Sequence, residues 1–328
     1  MIKIGTILVS TGSYVPEQCL TNQMLTEMVD TSDEWIVQRT GIRERRIARQ
    51  QTTAELATAA AKRALEEAEL PVQKLDLIIA CTATPDSYTP SVSCRVQAEL
   101  QADRAFAFDV SAACSGFVYA TDIVDSYFRA GKAKTALVVC AETLSRIIDY
   151  TDRTTCCLFG DGAAATVYQW SETEEGILQT VMGADGSRGD ALFAEALPVE
   201  DPLEKNHRDH QPERFLKMNG KEVFRFAART VPEAIDHVLE KAGMRVEEID
   251  WVVPHQANLR IIDVICRRYG LREEQVYVNL DRYGNTSSVS IPLCLDEMRK
   301  NGLLQKGQTI IFVGFGGGLT YGAVLMRI

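Results

Sequence analysis

Histidine is scarce in this chain: four occur in 328 residues, at 207, 210, 237 and 255. No two cysteines stand three apart, so the Cys-x-x-Cys spacing of zinc ribbons and thioredoxin-like redox sites is missing. Together these absences leave no candidate metal cluster, and no metal is expected. Basic residues are outnumbered, 35 against 45 acidic ones, giving a net charge of -10. That balance disfavours bulk attraction to nucleic acid or to an anionic membrane surface. No apolar run approaches the roughly 20 residues a helix needs to cross a bilayer, so membrane insertion is not expected. The first residues, Met1 to Val9, carry no basic region and no small-residue cleavage site, and read as a first strand rather than a signal peptide. No glycine-rich segment is followed by Lys-Ser/Thr or runs into a helix as G-x-G-x-x-G, which argues against phosphate cradling.

What is present describes an ordinary globular interior, 46% hydrophobic and 24% charged, long enough for one large or two medium cores. Nine cysteines at irregular spacing suit a reduced, cytoplasmic protein rather than a disulfide scaffold. The vicinal pair Cys156-Cys157 lies in an apolar run and reads as packing.

The chain repeats itself. Shifted by 174 residues, Leu65 to Ile79 lies over Leu239 to Val253, and Lys132 to Val139 lies over Lys306 to Val313, without a gap. Each unit is an amphipathic helix, a turn and a strand apolar on both faces, so the class is α/β with covered sheets. The spacing predicts two similar halves, 1–173 and 174–328, with a site between them. In this register Cys81 aligns with His255, and Cys114 with Ser288, three residues after Asn285.

Three residues stand out. Cys114 lies in Asp109-Val110-Ser111-Ala112-Ala113-Cys114-Ser115-Gly116-Phe117, between a predicted strand and a predicted helix. Unpaired N–H groups and the helix dipole at such a turn stabilise a thiolate, which is the nucleophilic form. A buried core cysteine is the plainer reading. His255 ends the strand Ile249 to Val253 and opens Pro254-His255-Gln256-Ala257-Asn258-Leu259-Arg260; strand carboxyl ends are where α/β sheets collect ligands, though a lone histidine is also commonly structural. His237 reads as solvent-facing, and His207 and His210 as part of an exposed polar loop. Asn285 lies in Gly284-Asn285-Thr286-Ser287, which reads as a turn. The glycines of Gly314-Phe315-Gly316-Gly317-Gly318 let backbone approach a ligand and offer N–H groups to an oxyanion. Phe159-Gly160-Asp161-Gly162 is a related segment of the first half.

With these motifs in order, together with Thr31-Ser32-Asp33-Glu34-Trp35-Ile36-Val37 and Arg39-Thr40-Gly41-Ile42-Arg43, the chain resembles the thiolase-fold condensing enzymes, in particular the β-ketoacyl-acyl carrier protein synthase III family. The resemblance implies a thiolase fold, two duplicated α/β halves forming a five-layer αβαβα sandwich, and a homodimer. It implies an acyltransferase of fatty-acid synthesis that condenses an acyl-CoA primer with malonyl-acyl carrier protein through an acyl-cysteine. Coenzyme A thioester is then a substrate, the acyl carrier protein is a partner, and no cofactor is needed. Catalysis falls to Cys114, His255 and Asn285, and the oxyanion hole to the amides of Cys114 and Gly317. The resemblance gives coenzyme A to Trp35, Arg39 and Arg153, the acyl pocket to Thr89, Phe159 and Phe315, and carrier-protein docking to Arg225, Arg260, Arg267 and Arg268, with Arg229 beside Arg225. Each of these arginines read alone is equally a solvated helix face. Thr89 stands where some acetyl-preferring members carry phenylalanine reaching into the partner subunit's pocket, so longer or branched acyl chains are expected to fit. Three other readings remain open on these residues: a related acyltransferase of polyketide or secondary metabolism, a cysteine hydrolase, and a non-catalytic carrier-binding module.

Overall fold

A computed structural model describes residues 5–195 and 215–328. His207 and His210 lie outside the described residues. The principal strands are β1 (Gly5–Tyr14), β2 (Leu77–Cys81), β3 (Phe106–Val110), β4 (Thr135–Glu142), β5 (Gly162–Ser171), β6 (Ile177–Ala184), β7 (Trp251–Pro254), β8 (Thr309–Gly316) and β9 (Thr320–Arg327). The principal helices are α1 (Asp33–Thr40), α2 (Thr53–Glu67), α3 (Val92–Leu100), α4 (Gly116–Arg129), α5 (Gly220–Ala242), α6 (Leu259–Tyr269) and α7 (Ser290–Lys300).

The strands form a five-stranded sheet ordered β1-β5-β4-β2-β3 and a four-stranded sheet ordered β7-β8-β9-β6. Every residue of β2, β4 and β8 is buried, as their unbroken apolar runs require of strands covered on both faces. Helices α2 and α3 cover the outer face of the first sheet, α4 and α7 lie between the sheets, and α5 and α6 cover the outer face of the second. The result is five layers, αβαβα. Sheets flank the middle helices on both sides: α4 buries Phe117, Val118, Val124 and Phe128, and α7 buries Ile291, Leu293, Leu295 and Met298. Helix α2 is stopped at its N-terminus by a capping box. Thr52 Oγ1 accepts from the Glu55 N–H at 3.1 Å, and Glu55 Oε2 accepts from the Thr52 N–H at 2.7 Å.

The 174-residue offset governs geometry as well as sequence. β2 pairs with β4 in parallel with Leu77 opposite Ala136, and β7 pairs with β8 in parallel with Trp251 opposite Ile310. Asp76 Oδ2 accepts from the Thr135 N–H, and Asp250 Oδ2 accepts from the Thr309 N–H. Short 3-10 turns at Ala113–Ser115 and Ser287–Val289 lead into α4 and α7. Both turns begin on a left-handed non-glycine residue, Ala113 at φ +44° and Ser287 at φ +53°, and the two pack against each other between the sheets.

Candidate active site

The two turns meet at the floor of a cavity of about 1120 Å³, whose wall includes Cys114, His255, Asn285, Phe159 and Phe315. Each comes from the end of an element. Cys114 follows β3, His255 follows β7, Asn285 precedes α7, and Phe315 is near the end of β8. The cysteine and histidine are 6% and 1% exposed, so both are almost wholly withdrawn from solvent.

Burial decides the resting protonation states. The Cys114 thiol is pushed up to about 12, first by desolvation, then by the Glu142 carboxylate; the Ser287 hydroxyl and the backbone N–H at Cys114 pull the other way. This corrects the sequence expectation of a helix-stabilised thiolate. Cys114 sits on a 3-10 turn two residues before α4 begins, and loss of water outweighs the two hydrogen bonds. His255 is held neutral, its pKa lowered to about 3 by burial.

The histidine tautomer follows from counting donors. His255 Nδ1 lies 2.7 Å from Ser290 Oγ. That hydroxyl donates its single proton to the Ser287 carbonyl at 3.0 Å and accepts from the Gln256 N–H at 3.3 Å. In that arrangement Nδ1 carries the hydrogen; with the hydroxyl turned onto Nδ1 instead, the ring hydrogen is on Nε2. The ring meets Phe315 edge-on, with centroids 5.3 Å apart at 69°. At the pseudo-equivalent place in the first half, the Cys81 thiol donates to the Gly116 carbonyl.

Asn285 is fixed by the crossing of two chain segments. Its N–H donates to the Leu158 carbonyl at 2.8 Å, and its carbonyl accepts from the Gly160 N–H at 3.0 Å. Gly284 makes the approach possible: it has φ +65°, and a Cβ there would lie 2.6 Å from the Leu158 carbonyl oxygen. The Asn285 Oδ1 accepts from the Ser287 N–H at 2.9 Å, leaving the Nδ2 hydrogens for the cavity.

The glycine loop is the turn between β8 and β9. Gly316 is the member pressed against Cys114: a Cβ there would lie 2.7 Å from the Cys114 Cβ and 3.1 Å from its sulfur. Gly317 follows at the turn, and its carbonyl accepts from the Thr320 hydroxyl at 3.0 Å.

Toward the mouth, Trp35, Arg39 and Arg153 line the same cavity. The guanidinium carbons of Arg39 and Arg153 lie 5.5 and 5.3 Å from the Trp35 ring centroid. Arg225 and Arg260 also line it, and Arg260 stacks over Phe224 at 5.5 Å. A shallow groove of about 500 Å³ adjoins the mouth through Phe224 and Arg225 and adds Arg229 and Arg268. Arg268 is bound to Asp236 at 2.6 Å, and Arg267 is exposed outside the groove. Thr89 is exposed and does not line the cavity. His237 is exposed, and Cys156 and Cys157 are buried and unbridged, Cys157 on the cavity wall.

Two buried residues behind this floor, Glu142 and Ser290, escaped the sequence reading, which also gave no separate part to Ser287 or Gly316 within the motifs it named. The carboxylate had one signal, an acidic residue closing the apolar run of β4. Among the described residues no group of three or more His, Cys, Asp or Glu could hold a metal ion, and no helix is long and apolar enough to cross a membrane.

Comparison with known proteins places this geometry among close relatives. Residues 108–186 match the family model of 3-oxoacyl-[acyl-carrier-protein (ACP)] synthase III, and residues 239–328 match the model of its C-terminal part. A β-ketoacyl-[acyl-carrier-protein] synthase III of Clostridium acetobutylicum is 46% identical over 322 residues, 98% of each chain. The crystal structure of 3-oxoacyl-[acyl-carrier-protein] synthase III from Aquifex aeolicus VF5 superposes with a TM-score of 0.92 at 48% identity, covering 99% of this chain and 100% of that one. The priming β-ketosynthase of the R1128 polyketide biosynthetic pathway superposes at 0.90 with 38% identity, covering 100% and 98%.

Proposed function

Since the chain belongs to the β-ketoacyl-[acyl-carrier-protein] synthase III family and has the thiolase fold, we propose that its condensing-enzyme chemistry runs on Cys114, His255 and Asn285. The observation that carries this assignment is their convergence, from both halves of the repeat, on the floor of one buried cavity. Cys114 attacks the thioester of an acyl-CoA, the amides of Cys114 and Gly317 hold the tetrahedral oxyanion, and coenzyme A leaves. Malonyl-acyl carrier protein then enters and loses CO₂. His255 and Asn285 donate hydrogen bonds to its thioester oxygen as enolate charge develops, and the carbanion takes the acyl group from Cys114. His255 donates through Nε2 in the tautomer whose Nδ1 accepts from the Ser290 hydroxyl. No metal or redox cofactor takes part in these steps.

The flat surfaces of Trp35 and Arg153 suit the adenine of coenzyme A, with Arg39 beside its phosphates. The groove at Arg225, Arg229 and Arg268 borders the mouth, where an acidic carrier protein would present its phosphopantetheine arm, with Arg260 and Arg267 on the adjoining helix. Phe159 and Phe315 bound the acyl pocket, and exposed Thr89 serves the pocket of a partner subunit. Dimerisation is supported by β3, the edge strand of its sheet, whose Phe106 and Phe108 form a half-exposed cluster with Tyr127 of α4, with centroids 5.6–6.5 Å apart. We assign the halves to 1–173 and 174–328, and the enzyme to the cytoplasm.

Intact mass spectrometry after incubation with acetyl-, isobutyryl- and medium-chain acyl-CoA tests the reading. Wild type gains the acyl mass and Cys114→Ala does not. No gain with any acyl-CoA, or release of free acid without malonyl groups, overturns it. Strict preference for acetyl overturns the role given to Thr89.

A further inference from the structure

Glu297 lies on α7, does not line the cavity, and has no part in the steps above. Its side chain is 15% exposed. Arg282 Nη1 and Nη2 donate to its Oε1 and Oε2 at 2.6 and 3.0 Å, a two-pronged, charge-assisted pair. The Tyr283 hydroxyl donates to Oε1 at 2.9 Å, Asn279 Nδ2 to Oε2 at 2.8 Å, and the Tyr277 hydroxyl to Oε2 at 3.4 Å. Every one of these donors belongs to the stretch 277–283, which ends in a short helix, Leu280–Tyr283. Gly284 and Asn285 follow at once. A single exposed ion pair holds little, but a carboxylate shared by so many donors fixes the stretch as a unit.

The same face of α7 reaches the histidine. Ser290, Cys294 and Glu297 are spaced four and three apart, so they form one stripe along the helix. Ser290 Oγ lies 2.7 Å from His255 Nδ1, and the Cys294 thiol donates to Asn279 Oδ1 at 3.2 Å. Asn279, held at both ends of its amide, donates its backbone N–H to Gln256 Oε1 at 3.1 Å. Gln256 is the residue after His255, and its Nε2 donates to the carbonyls of Pro254 and Tyr277 at 2.8 and 3.2 Å. The chain on either side of His255 is thereby tied to the stretch that Glu297 holds.

Two arms leave one carboxylate: one runs through Arg282 and Tyr283 to Asn285, the other through Asn279 and Gln256 to His255. Resting on the proposed condensing reaction, we propose that Glu297 is a positioning residue that sets Asn285 and His255 against each other for the loss of CO₂. In that step one thioester oxygen must meet a donor from each residue, so their spacing enters the rate directly. Attack by Cys114 uses the oxyanion amides instead, and neither arm includes the Cys114 turn.

Single-turnover release of CO₂ from malonyl-acyl carrier protein by the acetylated enzyme tests this, counted per acylated Cys114 as read by intact mass. Glu297→Gln keeps the shape but turns an amide N–H toward one set of donors. It slows CO₂ release about tenfold, while acylation stays within about twofold of wild type. In an Asn285→Ala background the same change costs about threefold or less, because only the histidine arm is left to act through. Tyr283→Phe cuts the asparagine arm alone and serves if Glu297→Gln folds poorly: it slows CO₂ release about threefold, and not at all once Asn285 is alanine. A merely structural carboxylate would slow acylation and CO₂ release alike, by the same factor in both backgrounds. That result, or wild-type CO₂ release in Glu297→Gln, overturns the positioning role and leaves the condensing reading standing; no acyl-enzyme in the wild type overturns both.

Discussion

Replacing Gly316 by alanine adds one methyl at the tightest point of the site. The new Cβ would lie 2.7 Å from the Cys114 Cβ, 2.8 Å from its backbone N and 3.1 Å from its sulfur. Two of these contacts are too rigid to swing aside, because they belong to the turn that carries the nucleophile. Either β8 or the Cys114 turn must shift by several tenths of an ångström. Overpacking of this kind costs about 1–3 kcal/mol. A chain of 328 residues unfolds with an entropy on the order of 0.7 kcal/mol/K, so Tm should fall by roughly 1.5–4.5 °C. The larger effect is on chemistry, since a displacement approaching 1 Å at a reacting atom costs on the order of 10²-fold in rate. Stopped-flow acylation followed by intact mass should show that loss, with coenzyme A affinity unchanged because Trp35, Arg39 and Arg153 are untouched. Gly186→Ala is the control, as nothing lies within 4 Å of its added methyl. If Gly316→Ala acylates at the wild-type rate, the close approach of the loop to Cys114 does not position the nucleophile, and the reasoning fails.

Neutral burial of His255 gives stability a pH dependence. Its folded pKa of about 3 is below the ordinary 6.5, so the unfolded chain binds the proton first and stability is lost as pH falls from 6.5 toward 3. Urea unfolding should show wild type losing about 2 kcal/mol more than His255→Asn between pH 7 and 5; equal losses would mean the ring is protonated in the folded enzyme. Ser290→Ala removes the hydroxyl that reaches His255 Nδ1, so release of CO₂ from malonyl-acyl carrier protein should fall about tenfold while acylation of Cys114 persists. Trp35→Ala should raise KM for acyl-CoA roughly tenfold with kcat little changed, read from steady-state kinetics, if its ring stacks on a nucleobase.

Much of this protein is legible along the chain, because strand burial and helix amphipathy depend on local residue order. The unbroken apolar runs of β2, β4 and β8 announced sheets covered on both faces, and the 174-residue offset foretold the matched parallel registers of the two halves. Cys114, His255 and Asn285 were also readable, since each closes a strand or opens a turn. The protonation state of Cys114 was not. A sequence shows a thiol near a helix N-terminus, but the desolvation that pushes Cys114 up to about 12 comes from the opposite sheet and the second turn, far away in the chain. The same distance hid Gly316 against the sulfur and Ser290 against His255. Residue order determined the layers and the elements that end at Cys114, His255 and Asn285; only their closure on one another decided the charges, the hydrogen-bond partners and the fit of the site, because those depend on which groups share a volume without water.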